Sequence, residues 1–316
     1  MSSQYFTNSE FYHANVATSD QQGVALVTGG KSGMGRALAL KLATLPFIAK
    51  VFCVSRSITV KDLDKEEKLI PLSADVTTLE GRDKIVKTVH EACYGVASGG
   101  RSAQLRFLIH SAGTIYPIKP ILEVTLKELR KAMLVNCEAP FFLTTALHPY
   151  MRPVSEKGYS GRVLHVSSGA AHGAPPAGWS VCGISKAAFF QSYKVLELEL
   201  KGTGVLVSSF MPGDMHGSNR SKKKLPVAVA ARNNRKKTKL KKEPLTAGAI
   251  PPPNGRPDTP VNIAHFAEFL LIGLTDEEFG NRDDPKEFDI RDPKLYPRWI
   301  PSVNLQNSSF KNKTNI

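Results

Sequence analysis

The chain has only four cysteines, Cys53, Cys93, Cys137 and Cys182, and none stands in a Cys-x-x-Cys or Cys/His spacing. That disfavours a zinc motif and a disulfide framework, suits a reducing compartment and predicts free thiols. No metal site is expected. An uninterrupted apolar run of about 18 residues is also missing, so no membrane span is expected. Residues 1–22 hold neither Lys nor Arg and no apolar core segment, which argues against a secretory signal and an Arg-rich presequence. The expected compartment is the cytoplasm. Residues 1–22 read as a flexible N-terminal tail and residues 301–316 as a C-terminal one.

Acidic residues are the other scarcity, with 28 Asp and Glu against 42 Lys and Arg for a net charge of +14. Between Arg220 and Lys242 stand eleven basic residues and no acidic one; without them 31 basic residues face 28 acidic, so the rest is nearly balanced. The stretch runs on into Pro251-Pro252-Pro253, Pro257 and Pro260, a mix of like charge and helix breakers that buries too little apolar surface to order itself. Residues 219–258 therefore read as a mostly disordered basic, Pro-rich insertion. Lys222-Lys223-Lys224, a ten-residue spacer and Arg235-Lys236-Lys237 have the shape of a bipartite nuclear import signal. They equally suit an arm for nucleic acid or an acidic partner, or a solvated loop.

What is present is an alternation of short apolar strands and helices. With 41% hydrophobic content in 316 residues, the chain can bury the core of an α/β domain of roughly 250 residues. Gly23–Thr28, Val51–Ser55, Leu69–Ala74, Leu105–Ile109, Arg162–Val166 and Val205–Met211 read as strands buried on both faces. Apolar spacing predicts helices over Arg36–Leu45, Thr125–Met151, Ser185–Leu200 and Val261–Leu274, before Glu287-Phe288-Asp289-Ile290. The expected fold is a doubly wound parallel sheet of Rossmann type, one domain over residues 23–300.

The first strand runs into Thr28-Gly29-Gly30-Lys31-Ser32-Gly33-Met34-Gly35 and then into a helix. In that context Gly29 permits the tight turn, Gly33 lets backbone approach a pyrophosphate and Gly35 lets the helix pack closely on the sheet. The second strand ends Val54-Ser55-Arg56-Ser57, without the carboxylate that would accept from the 2′-OH of NAD. Arg56 can instead pair with the 2′-phosphate of NADP, with Lys31 and Arg36 as helpers, unless it is a solvated loop arginine.

These segments, in this order, resemble the short-chain dehydrogenase/reductase family, nearest to its sepiapterin reductase and benzil reductase branch. The resemblance runs from about Gly23 to Ile290. It rests on the TGxxxGxG of Thr28–Gly35, on Asp75-Val76, and on His110-Ser111-Ala112-Gly113 where NNAG is usual. Val135-Asn136, Ser167-Ser168, Lys186 and Pro212-Gly213 complete it. It implies an NADP-dependent enzyme that reduces a small-molecule carbonyl (ketone, dicarbonyl or pterin-like) by hydride transfer, usually as a homo-oligomer. It further implies cofactor contacts from Thr28, Gly29, Lys31, Ser32, Gly33, Met34 and Gly35, and adenine contacts from Asp75 and Val76. His110, Ser111, Ala112 and Gly113 would wall the adenosine side, and Asn136, Lys186, Pro212 and Gly213 would complete the site.

In that family a tyrosine protonates the substrate carbonyl, a lysine lowers its pKa and holds the ribose, a serine orients the carbonyl and an asparagine supports a water relay. The match supplies Asn136, Ser168 and Lys186. Ser168 lies 14 residues before Cys182 where 13 is usual, so Ser167 is its rival. Cys182 itself stands four positions before Lys186, where the tyrosine belongs. A thiol has an ordinary pKa of about 8.5 against about 10 for a phenol, and its reach is shorter. Three outcomes stay open: slow reduction with a water relaying a proton from Lys186, an inactive NADP-binding sensor or assembly protein, or a Cys182 that merely fills space. Neither Tyr159 nor Tyr193 restores the motif, and His216 is a poor substitute acid.

Overall fold

The computed structural model describes residues 22–63, 66–95, 101–153, 158–173, 175, 177–213, 259–280, 287–292, 294, 295, 298 and 299. Residues 1–21, the C-terminal tail, the whole 219–258 insertion with its basic stretch, and His216 lie outside the described residues, while Gln22, the last residue of the expected N-terminal tail, already belongs to a strand.

Seven strands form one parallel sheet in the order β3-β2-β1-β4-β5-β6-β7. They are β1 (Gln22–Thr28), β2 (Ile48–Ser55), β3 (Leu69–Ser73), β4 (Ala103–His110), β5 (Gly161–Val166), β6 (Val205–Met211) and β7 (Phe288–Asp289). Every residue of β4 and β5 is buried. Helices cover both faces of the sheet, so these strands are largely apolar, interrupted by Gln104, Arg106, His110, Arg162 and His165. Strand order reverses between β1 and β4, and the crevice beyond their carboxyl ends is where an open α/β sheet takes a ligand.

Helices α1 (Gly33–Ala43) and α6 (Pro260–Ile272) cover one face, packing Leu38, Leu42, Phe266 and Leu270 against Val27, Val51, Phe107 and Ile109. Helices α2 (Leu79–Tyr94), α4 (Ala139–Met151) and α5 (Ser180–Glu199) cover the other, with Ile85, Val89, Leu143, Leu147 and Tyr193 over Leu26, Leu108 and Val163. Arg162 is one of several polar side chains buried in β4 and β5, with Gln104, Arg106, His110 and His165. Its guanidinium is buried under α6, where it donates to the Leu271 and Leu274 carbonyls at 2.9 Å and pairs with Asp276, on the short α7 (Asp276–Phe279), at 2.7 Å. No described helix is long and apolar enough to cross a membrane. All four cysteines are buried and none is in a disulfide.

Two expected elements differ. The single helix over 125–151 is three pieces: α3 (Leu126–Met133), a π-turn over Leu134–Glu138, and α4. The extra residue in that turn rotates α4 relative to α3, and such turns often mark a functional position. Helix α5 starts at Ser180, five residues earlier than the spacing suggests, so Cys182 and Lys186 lie one turn apart at its amino end.

Candidate active site

Above the sheet's reversal point lies a cleft of about 1020 Å³. Gly29, Lys31, Ser32, Gly33, Met34 and Gly35 form its floor. Gly29 turns at φ 73° and Gly33 at φ 60°, both in the left-handed region that glycine takes without strain. A β-carbon on Gly35 would stand 2.4 Å from the Gly29 carbonyl oxygen, whereas one on Gly33 would meet nothing within 4 Å. So Gly35 serves helix packing and Gly33 faces the opening. Ser32 caps α1 without a side-chain hydrogen bond, and no acidic residue occupies the first turn. The first N–H groups of α1 are thereby left for an anion. Gly35→Ala should cost about 1–3 kcal/mol of unfolding free energy by urea titration, because the methyl group must displace the turn.

Thr28 does not line the cleft but ties it together. Its hydroxyl accepts from the Ala112 N–H at 3.1 Å, holding the Ser111-Ala112-Gly113 wall to the end of β1. At the far end Arg56, Asp75 and Val76 line the cleft together with Lys131 from α3. The Asp75 carboxylate accepts from the Thr77 N–H at 2.9 Å and hydroxyl at 2.7 Å. Burial would raise its pKa, but these bonds with Arg56 and Lys131 outweigh it and hold the group below its ordinary value. The Lys31 ammonium is occupied by the Ser57 carbonyl at 2.6 Å and by Asp62 at 3.1 Å. Arg36 does not take the expected place: it is not a wall of the cleft but hydrogen-bonds the Cys53 thiol, whose pKa burial pushes up to about 11 against that arginine's pull. The helical register of α1 turns position 36 away from the opening.

Asn136 lies in the π-turn, Ser168 just past the end of β5, and Cys182 and Lys186 in the first turns of α5; none of the four is a wall of the described cleft. The π-turn aims Asn136 at the loop after β4, where its Oδ1 accepts from the Thr114 N–H and its Nδ2 donates to the Thr114 carbonyl, each at 2.8 Å. Nδ2 also donates to Ser185 Oγ at 2.8 Å, joining that loop to α5. Lys186 Nζ donates to the Val166 carbonyl at 2.7 Å, two residues before Ser168, whose Oγ accepts from the Ala170 N–H. Ser167 is buried and its hydroxyl has no partner among the described residues. Cys182 is fully buried, at 0% exposure. Pro212 is buried and Gly213 turns at φ 72°, yet neither is a wall of the described cleft.

His110 does not take the expected place on the adenosine side: it is no wall of the described cleft but is buried in the sheet beside His165, a pairing that no sequence motif announces. His110 and His165, opposite each other on β4 and β5, stack with centroids 4.7 Å apart and planes at 14°. Thr144 Oγ1 gives its proton to the Pro140 carbonyl at 2.9 Å, so it must accept from His110 Nε2–H at 3.0 Å, which fixes that tautomer. Burial, and then the Lys186 charge, push the His110 pKa down to about 3. Burial pushes His165 well down too, followed by His110 and Lys186. Both rings are neutral at physiological pH.

A profile described as short chain dehydrogenase matches residues 23–227. The chain belongs to the short-chain dehydrogenase family. Among relatives, a protein from Arabidopsis thaliana named "NADPH-dependent aldehyde reductase-like protein, chloroplastic" is 27% identical over 197 residues, 60% of this chain and 71% of its own. A "Tropinone reductase homolog" of the same plant is 31% identical over 60% of this chain and 66% of its own. A short chain dehydrogenase of Pseudocercospora fijiensis is 35% identical over 60% of this chain but 59% of its own. The match therefore spans less than two thirds of the latter two relatives. Among solved structures, a short-chain dehydrogenase from Streptomyces avermitilis superposes with a TM-score of 0.63 at 23% identity, covering 94% of this chain and all of that one. An NADPH-bound carbonyl reductase from chicken fatty liver gives 0.54 at 22%, over 61% of this chain and 80% of that one. These two likenesses speak to the fold. Within this short-chain dehydrogenase, sequence reasoning misses Lys131, Tyr116 and Thr114, which line the cleft, and Ser185 and His165, which contact Asn136 and His110. Only Lys131 carries a local signal, one turn before Asn136 on an apolar-spaced helix.

Proposed function

We propose that the protein is an NADP-dependent carbonyl reductase of small ketones, dicarbonyls or pterin-like compounds, of the sepiapterin and benzil reductase kind. The carrying observation is the charge around the adenosine end of the cleft: Arg56 closes β2 where an NAD enzyme would need a carboxylate, and Lys131 faces the same space. The cradle fits a dinucleotide, because α1 offers uncapped N–H groups under a turn that only glycine can make. The bound cofactor supplies hydride. Gly33 and the first N–H groups of α1 hold its pyrophosphate, Arg56 its 2′-phosphate, and Asp75 and Val76 its adenine. Lys31 lends the phosphate a share of its charge, the rest being spent on Asp62. Lys186 holds the ribose beside Asn136, while Ser168 orients the substrate carbonyl. Cys182, closed off from the cleft, packs and does not meet substrate.

The relatives named as NADPH-dependent aldehyde reductase-like and tropinone reductase homologue support this reading. Apolar side chains exposed on α4 and α5, Phe142, Ile184 and Leu198, suit a homo-oligomer, and the proposed compartment is the cytoplasm. The test is NADPH oxidation by the purified protein against diketones, quinones and sepiapterin. In calorimetry Arg56→Ala should weaken NADPH by about 1.5–3 kcal/mol, roughly 10- to 150-fold, and leave NADH unchanged, since a charge-assisted phosphate contact is lost. Equal losses for both cofactors would refute the charge argument.

A second reading, an NADP-binding sensor or assembly protein without turnover, is favoured by the buried thiol at position 182. NADPH binding without oxidation against any carbonyl of the panel would establish it. A role for residues 220–242 in binding nucleic acid or acidic partners, or in nuclear import, rests on charge alone; such binding would weaken steeply between about 50 and 200 mM salt.

A further inference from the structure

We infer that Tyr116 is the proton donor that position 182 no longer supplies. This rests on the reductase reading and names the acid within it. Of the described tyrosines, Tyr116 is the one that lines the cleft. Tyr94 and Tyr150 pack with His90 on the outer helices, Tyr159 lies over Arg106, and Tyr193 is fully buried beside His165. Tyr116 belongs to the segment leaving the carboxyl end of β4, on the opposite side of the strand-order reversal from Arg56 and Asp75. A dinucleotide laid across the reversal with its adenosine at Arg56 puts its reactive ring on that side.

The backbone that carries the phenol is held in place. The Tyr116 N–H donates to Thr114 Oγ1 at 3.2 Å, and Thr114 is clamped through both its N–H and its carbonyl by Asn136. Asn136 in turn is anchored to Ser185, next to Lys186. The same asparagine that the resemblance assigns to a relay thus fixes a phenol-bearing loop over the cleft. Tyr116 is half-buried, so water reaches it between turnovers. In the step, the carbonyl carbon receives hydride with its electron pair from NADPH, forming the new C–H bond. The carbonyl π pair takes the Tyr116 phenolic proton, giving alcohol, NADP⁺ and a phenolate that water reprotonates.

Tyr116→Phe removes one oxygen and should leave the fold and NADPH affinity unchanged while lowering kcat by about 10²–10⁴-fold on whichever carbonyl the wild type reduces best. Tyr116→Phe at wild-type kcat, with only Tyr116→Ala impaired, would make the ring a stacking surface and overturn the proposal. A readout independent of turnover is absorbance at 295 nm during alkaline titration. The positive nicotinamide ring of NADP⁺ should favour a nearby phenolate, so the NADP⁺ complex should show one tyrosine ionising below the ordinary value of about 10, absent in Tyr116→Phe. No such tyrosine would overturn the proposal. Protein that shows this ionisation yet reduces no carbonyl would sink the reductase reading alone and leave Tyr116 beside the nicotinamide.

Discussion

Arg162→Met should lower the unfolding free energy by about 3–5 kcal/mol, the range for breaking a buried charged group's bonds from one side. The methionine fills most of the volume, so the loss reports polarity more than a cavity. It leaves the Leu271 and Leu274 carbonyls, at the end of α6, buried without their donor. It also removes the guanidinium lying 4.9 Å over the Phe279 ring. Asp276→Asn should cost under about 1 kcal/mol, because that carboxylate is half exposed and its pairing is screened. Thermal melts should show the contrast, with Arg162→Met falling by roughly 6–20 °C at about 2–4 °C per kcal/mol. If the two variants melt alike, the guanidinium is not what fastens α6 to β5.

Acid should destabilise the protein well before its carboxylates titrate. His110 and His165 have folded pKa values below the ordinary 6.5, so only the unfolded chain takes up protons as pH falls through 6.5. Their contribution is fully present above pH 6.5 and is lost progressively as pH drops, for His110 down to about 3. Between pH 6.5 and 5 each ring should remove roughly 1.5 kcal/mol, or about 3 kcal/mol for the pair. His165→Phe should roughly halve that slope in urea titrations. It should also match or exceed wild-type stability at pH 7, because both His165 nitrogens are buried without partners among the described residues. An unchanged acid slope in His165→Phe would show that the ring titrates normally in the fold.

The sheet was legible because β1, β4 and β5 are buried on both faces and keep short apolar stretches even where polar residues interrupt them, and because a glycine turn between strand and helix has few other uses. Boundaries were less so. Val205–Met211 is a strand end to end, but β2 begins at Ile48, where Ile48-Ala49-Lys50 looks like loop until Gly23 and Val24 are seen beside it. The break at Leu134–Glu138 leaves no trace in periodicity, since one extra residue in a turn is invisible without the neighbour it accommodates.

By itself, the order of residues determined the parallel α/β fold, the dinucleotide turn, the basic residue closing β2 and the thiol at position 182. Each is local: a run, a turn or a spacing within one element. Only the tertiary structure decided which charges face the cleft, drawing in Lys131, turning Arg36 to Cys53 and engaging Lys31 with Asp62. It also buried Cys182, stacked His110 on His165 and brought Tyr116 to the opening. Those outcomes depend on side chains from elements far apart in the chain, whose directions are set by sheet register and helix rotation. No window of sequence contains that information.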